Sequence, residues 1–103
     1  MIYQFSQVEV VPGKMPDYFK FAEQAQPLYP KLGIKIEGSW HGYTGNMNRI
    51  YVLYSFAGLA ALQKARDNQR TNEEWRKTMA GVSPLIVSQN ATLLEPNPWS
   101  PMK

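Results

Sequence analysis

Cysteine is absent from the 103 residues, and histidine occurs once. The first absence excludes a disulfide framework and thiolate chemistry. The second leaves His41 without a His or Cys co-ligand of the kind that metal sites combine, so no metal is expected. No cofactor is expected either. No apolar run approaches the roughly 20 residues that span a bilayer, which argues against a membrane span. The opening Ile2-Tyr3-Gln4-Phe5 has neither a basic n-region nor a small-residue cleavage site, so a secretory signal is not expected and a cytoplasmic location is. Charged residues are only 18% of the chain and apolar ones 44%, the balance of ordinary globular material. At this length a single domain is expected.

Two further absences narrow the function. The net charge is +3, yet no continuous basic stripe exists. Lys14, Lys20, Lys31, Lys35, Arg49 and Lys64 are scattered, and Arg66, Arg70, Arg76 and Lys77 alternate with Asp67, Glu73 and Glu74. A phosphate-tracking surface needs cations gathered on one face, so nucleic acid is not an expected partner. Gly38, Gly42 and Gly45 are not followed by a helix and form no phosphate loop. No serine sits in a nucleophile elbow.

What the chain does contain is a hairpin, Gly33 to Phe56, around which the rest is arranged. Its two strands flank the turn Thr44-Gly45-Asn46-Met47-Asn48. The second strand, Arg49–Phe56, is apolar at nearly every position, the pattern of a strand covered on both faces. Strand one, Ile2–Val11, places Ile2, Val8 and Val10 on one face and Tyr3, Phe5 and Val11 on the other. Helical periodicity runs from Met15 through Tyr18, Ala22, Ala25 and Tyr29, and Leu32-Gly33 stops it. A second helix is expected over Ala57–Gln69. Thr71 with Glu74 reads as a capping box opening a short helix that carries Trp75, Met79 and Val82. Leu85–Leu94 reads as the last strand. The order strand, helix, strand, strand, helix, strand implies a ferredoxin-like βαββαβ sandwich of α+β class. Residues 1–95 form that domain, and residues 96–103, with three prolines in the last nine residues, are a tail without regular structure. The bare sheet face is apolar, and stacking it on a second copy would bury it, so a homodimer is expected.

The marks Pro12-Gly13-Lys14, Leu32-Gly33, Gly38-x-Trp40, Gly45-x-x-Asn48, Leu53-Tyr54, Glu74-Trp75 and Pro84-Leu85-Ile86-Val87-Ser88-Gln89 resemble the NIPSNAP family. That resemblance implies a dimeric α+β barrel without a settled reaction. Eukaryotic members look like adaptors, and neighbouring families of the same fold include cofactor-free monooxygenases, isomerases and haem-dependent enzymes. Relatives often carry Arg and Tyr where this chain has Ser6 and Val8, and His and Trp where it has Val52 and Tyr54. The resemblance therefore implies a less polar cavity here.

Two site readings stand beside the fold. His41, with Tyr43 nearby, is the nominee for a general base or haem ligand; the alternative is an exposed strand histidine. Trp40, Tyr54, Phe56 and Ile50, with Gln4 and Ser6 as polar groups, are expected to line a pocket between the two sheets of the dimer; the alternative is that they fill its core. The expected function is a homodimeric binding or interaction module for a hydrophobic small molecule. The ligand expected is uncharged and flat, stacked on Trp40 and Tyr54. The second reading is a cofactor-independent monooxygenase or isomerase acting on a hydrophobic or aromatic substrate.

Overall fold

Proline and glycine set the first boundaries. Strand β1 (Ile2–Val10) ends where Pro12-Gly13 turns the chain, with Gly13 at φ +85°, a conformation a side chain would resist. Pro16 then opens helix α1 (Met15–Ala25), where its missing N–H leaves no bond unmade. A single-turn helix α2 (Leu28–Lys31) follows, and Gly33 at φ +79° delivers the chain into β2 (Lys35–His41). The remaining elements are β3 (Arg49–Phe56), α3 (Leu59–Thr71), α4 (Glu73–Met79), a 3-10 turn (Ser83–Leu85) and β4 (Ile86–Leu94) in this computed structural model of residues 1–103. The four strands form one antiparallel sheet in the order β2-β3-β1-β4. The fold is α+β and ferredoxin-like, with the helices on one face.

The expected capping box is corrected by the structure. Thr71 is still inside α3, where its hydroxyl donates to the Asp67 carbonyl at 3.0 Å. Asn72 is the cap instead: its Oδ1 accepts from the Trp75 amide at 2.8 Å. A hydroxyl that can bond back to the preceding turn extends a helix end, whereas the Asn side chain is free to satisfy the next helix's first amides.

The sheet's two faces carry different loads. Val8, Val10, Ile50 and Val52 face the helices and pack with Tyr18 and Val82. Ile34 and Phe56, on the same face, pack with Ala25, Leu28, Leu32, Leu62, Ala65 and Trp75. The core is thus two clusters rather than one, and Phe21, Tyr54 and Met79 touch both. On the opposite face Phe5 and Tyr51 stack at 6.0 Å between ring centres. Phe5, Tyr51 and Leu53 remain partly exposed there, with no second layer from this chain.

A β-bulge decides where the residues of β2 point. Ile36 pairs with Tyr54, but Gly38 pairs with Leu53 and Trp40 with Tyr51, so Glu37 is the extra residue. One inserted residue reverses the alternation beyond it. Trp40 therefore lies on the bare face, 54% exposed, with its indole folded over Gly38, where a Cβ would overlap the ring. Ser39 and His41 turn to the helix side. The bulge is held by Ser55, whose hydroxyl donates to the Glu37 carboxylate at 2.7 Å, with Lys35 3.4 Å away. That bond, aided by Lys35, keeps Glu37 below the usual carboxylate range.

Candidate ligand site

The middle of β1 is where an ordinary sheet would place large apolar side chains against its helices. Here it places Gln4 and Ser6, bonded Gln4 Nε2 to Ser6 Oγ at 3.3 Å. Their neighbours across the strands are Tyr54 and Val52 on β3 and Leu93 and Ala91 on β4. The two core clusters consequently meet over the sheet centre only through the partly buried Phe21, Tyr54 and Met79. The seam between them is a cavity of about 310 Å³, walled by β1 and β3 below and by α1, α3 and α4 above. Fifteen of its 22 lining residues are apolar, a composition and size suited to a small organic molecule.

Three tyrosines contribute hydroxyl groups to the wall, beside Gln4, Ser6, Gln26, Ser39, Arg66, Gln69 and Gln89. Tyr18 and Tyr29 come from the α1–α2 segment and Tyr54 from β3. The rings of Tyr29 and Tyr54 are 5.9 Å apart, and Trp75 meets Tyr29 edge-on at 5.3 Å. Burial pushes the Tyr18 phenol up to about 12, and the proximity of Tyr29 adds to it. Burial pushes Tyr29 up as well, partly opposed by the Tyr54 hydroxyl offered to it. Tyr54 is pushed far above its ordinary value, first by burial and then by Tyr29. All three are neutral phenols at physiological pH. They can donate a hydrogen bond to a ligand oxygen, but they are poor bases there.

The sequence-predicted residues divide into three groups. Gln4, Ser6, Tyr54 and Phe56 line this one cavity together. Ile50 is buried beside it in the Val8–Val52 cluster. Trp40 is on the other side of the sheet, so Trp40 and Tyr54 cannot stack on a common ligand. Nor do the lining residues face a second sheet: they face the helices of their own chain. His41 packs near the Phe19 ring at 5.8 Å, outside the cavity. Tyr43 is 91% exposed in the hairpin turn, remote from the other candidates' cavity. Sequence reasoning missed Tyr18, Tyr29 and Trp75 as wall residues, because helical spacing marks them only as core. Arg66 was missed too, read as part of a solvated helix face.

Known proteins bear on this architecture. No curated protein matches the chain. In fold it resembles the protein Atu4242 from Agrobacterium tumefaciens, at TM-score 0.93 and 19% identity, with all of both chains covered. A NIPSNAP family protein of the same organism, Atu5224, aligns at TM-score 0.92 and 20% identity over 99% of this chain and 98% of that one. A candidate antibiotic biosynthesis monooxygenase from Nitrosomonas europaea aligns at TM-score 0.71 and 8% identity, covering 93% of this chain and 98% of that one. At such identities the likeness is one of fold. The NIPSNAP family model matches residues 3–101, nearly the whole chain. This chain belongs to the NIPSNAP family.

Proposed function

We propose that this protein is a homodimeric binding module that holds one hydrophobic small molecule per subunit, between the sheet and the helices. The observation that carries the reading is the cavity itself: a partly open cleft of about 310 Å³ between sheet and helices, lined by apolar residues interspersed with phenols, amides and hydroxyls. A core of this size would close that seam if stability alone governed it, since each unfilled methyl-sized void costs about 1 kcal/mol. Ser6 and Gln4 hold it open.

The homodimer is supported by the opposite face. Phe5, Tyr51, Leu53 and the exposed Trp40 form a contiguous apolar surface on the sheet, which a second copy would cover by a two-fold contact. The fold is that of dimeric α+β barrel proteins, which agrees with this use of the face. Ligand and partner then occupy opposite sides of one sheet.

The test uses N-phenyl-1-naphthylamine, a neutral two-part aromatic dye that brightens in apolar surroundings. It should bind saturably, once per subunit, and Ser6→Leu should abolish binding by filling the cavity while the circular dichroism spectrum is retained. Binding unchanged in Ser6→Leu contradicts the reading. A second reading, a cofactor-independent monooxygenase or isomerase, rests on the Tyr29–Tyr54 hydroxyls, which supply donors for a developing oxyanion. It requires that Tyr54→Phe abolish turnover of an aromatic substrate while dye affinity stays within about twofold, a change of under half a kcal/mol.

A further inference from the structure

The cavity's wall contains a single formal charge, and its placement bears on which molecules fit. Among the lining residues only Arg66 is ionised at neutral pH; no Asp, Glu, Lys or His joins it. Arg66 lies in the second half of α3 and is solvent-exposed, so it stands at the mouth rather than in the depths. No carboxylate is within 4.0 Å of it. The ion pairs of the chain are Lys31–Glu74, Lys35–Glu37, Arg49–Glu9 and Arg70–Asp67. Beyond the mouth a shallow depression continues the cavity, sharing Arg66, Gln69, Trp75 and Met79 with it and adding Arg70 and Arg76. Arg76 likewise has no acidic partner, whereas Arg70 is taken by Asp67. The cavity therefore opens past two guanidinium groups without ion-pair partners and the Gln69 amide.

Resting on the cavity as ligand site, we propose that its ligand is an amphipathic anion: a flat apolar body inside, and an oxyanion head, a carboxylate in the first instance, on Arg66 at the mouth. The guanidinium offers paired N–H donors in the geometry that a carboxylate or sulfonate accepts. Arg76 adds attraction without direct contact. A cationic ligand would find no charged partner in the cavity wall. The inference replaces the uncharged ligand expected from sequence, where Arg66 was one cation among interleaved charges.

Two dyes of matched shape separate the possibilities: N-phenyl-1-naphthylamine and its sulfonated counterpart 8-anilinonaphthalene-1-sulfonate, titrated by fluorescence into the full-length protein. The anionic dye should bind about tenfold more tightly, as one charge-assisted hydrogen-bonded contact warrants. Each dye should displace the other. Arg66→Gln, an exposed substitution, should remove the preference, so that the two dyes bind the variant within about twofold of each other, which is below half a kcal/mol. A matched pair of 2-naphthoate and 2-naphthamide, competing against the neutral dye, should show the same preference for a carboxylate. If the neutral dye binds but the anion has no advantage, or keeps it in Arg66→Gln, the anion inference is overturned and the cavity reading survives. If the two dyes fail to compete, the anion binds elsewhere and the inference falls. If neither dye binds, both readings fall together.

Discussion

A charge placed on the bare sheet face should separate the proposed dimer without harming the subunit. Leu53 sits there beside Phe5 and between the neighbouring strands, partly exposed in the single chain. Burying a leucine against a partner is worth about 2 kcal/mol. A carboxylate left unpaired in the same contact costs about 3 kcal/mol more. The two-fold axis applies each loss twice, so Leu53→Glu should weaken association by about 10 kcal/mol. A nanomolar dimer rests on about 12 kcal/mol, so the variant should be a monomer at any workable concentration. Sedimentation equilibrium at micromolar protein should report twice the 11.8 kDa chain mass for the parent and the chain mass for the variant. Because the cavity is built from one chain, the monomer should still bind N-phenyl-1-naphthylamine. Leu59→Glu, at a residue 67% exposed on α3, should leave the dimer untouched. A parent protein that sediments as a monomer, or a Leu53→Glu variant that stays dimeric, would refute the reasoning.

Other consequences are local. A Cβ at Gly42 would overlap the Asn46 backbone carbonyl, whereas one at Gly38 meets only the far edge of the movable Trp40 ring. Gly42→Ala should therefore cost about 2 kcal/mol in chemical denaturation, as overpacking does, and Gly38→Ala clearly less, with a shift in Trp fluorescence. Removing the α4 cap by Asn72→Ala should cost about 1 kcal/mol. The buried phenols predict alkaline sensitivity. A pKa raised in the folded state means that stability is complete below the unfolded value of 10.0 and falls as pH rises through the folded one. For Tyr18 that window is pH 10 to about 12. Denaturation midpoints should decline across it, and absorbance at 295 nm should show Tyr18, Tyr29 and Tyr54 ionising late.

Much of the fold was legible because its signals are local. Pro12-Gly13, Leu32-Gly33 and the Gly45 turn mark boundaries by their own conformational limits. Apolar groups on both faces of β1 and the near-continuous apolar run in β3 mark the sheet and lead to the expectation of a partner. The site was less legible, for one identifiable reason. Counting along paired strands puts Trp40 on the face of Tyr54 and Phe56, and the bulge at Glu37 reverses that count. A glycine beside a charged residue inside a strand, Glu37-Gly38, was the available signal of a bulge. The faces of Tyr54, Phe56, Gln4 and Ser6 relative to one another survived, since β1 and β3 pair without irregularity between Ile2 and Glu9. Which side of the sheet they shared did not, because apolar residues on both faces leave the helix side undetermined by pattern alone. Arg66 and Tyr29 acquire meaning only when α3 and α2 are laid over the seam, a relation between distant segments that no local spacing encodes.

The most direct measurement distinguishes the two sides of the sheet. Amide and methyl chemical shifts of the isotope-labelled protein can be followed as N-phenyl-1-naphthylamine is added to saturation. Ser6, Val52, Leu62 and Met79, all in the cavity wall, should show the largest changes, with Phe5, Tyr51 and Leu53 little affected. Large shifts confined to Phe5, Tyr51, Leu53 and Trp40 would place the ligand between the sheets and contradict the account.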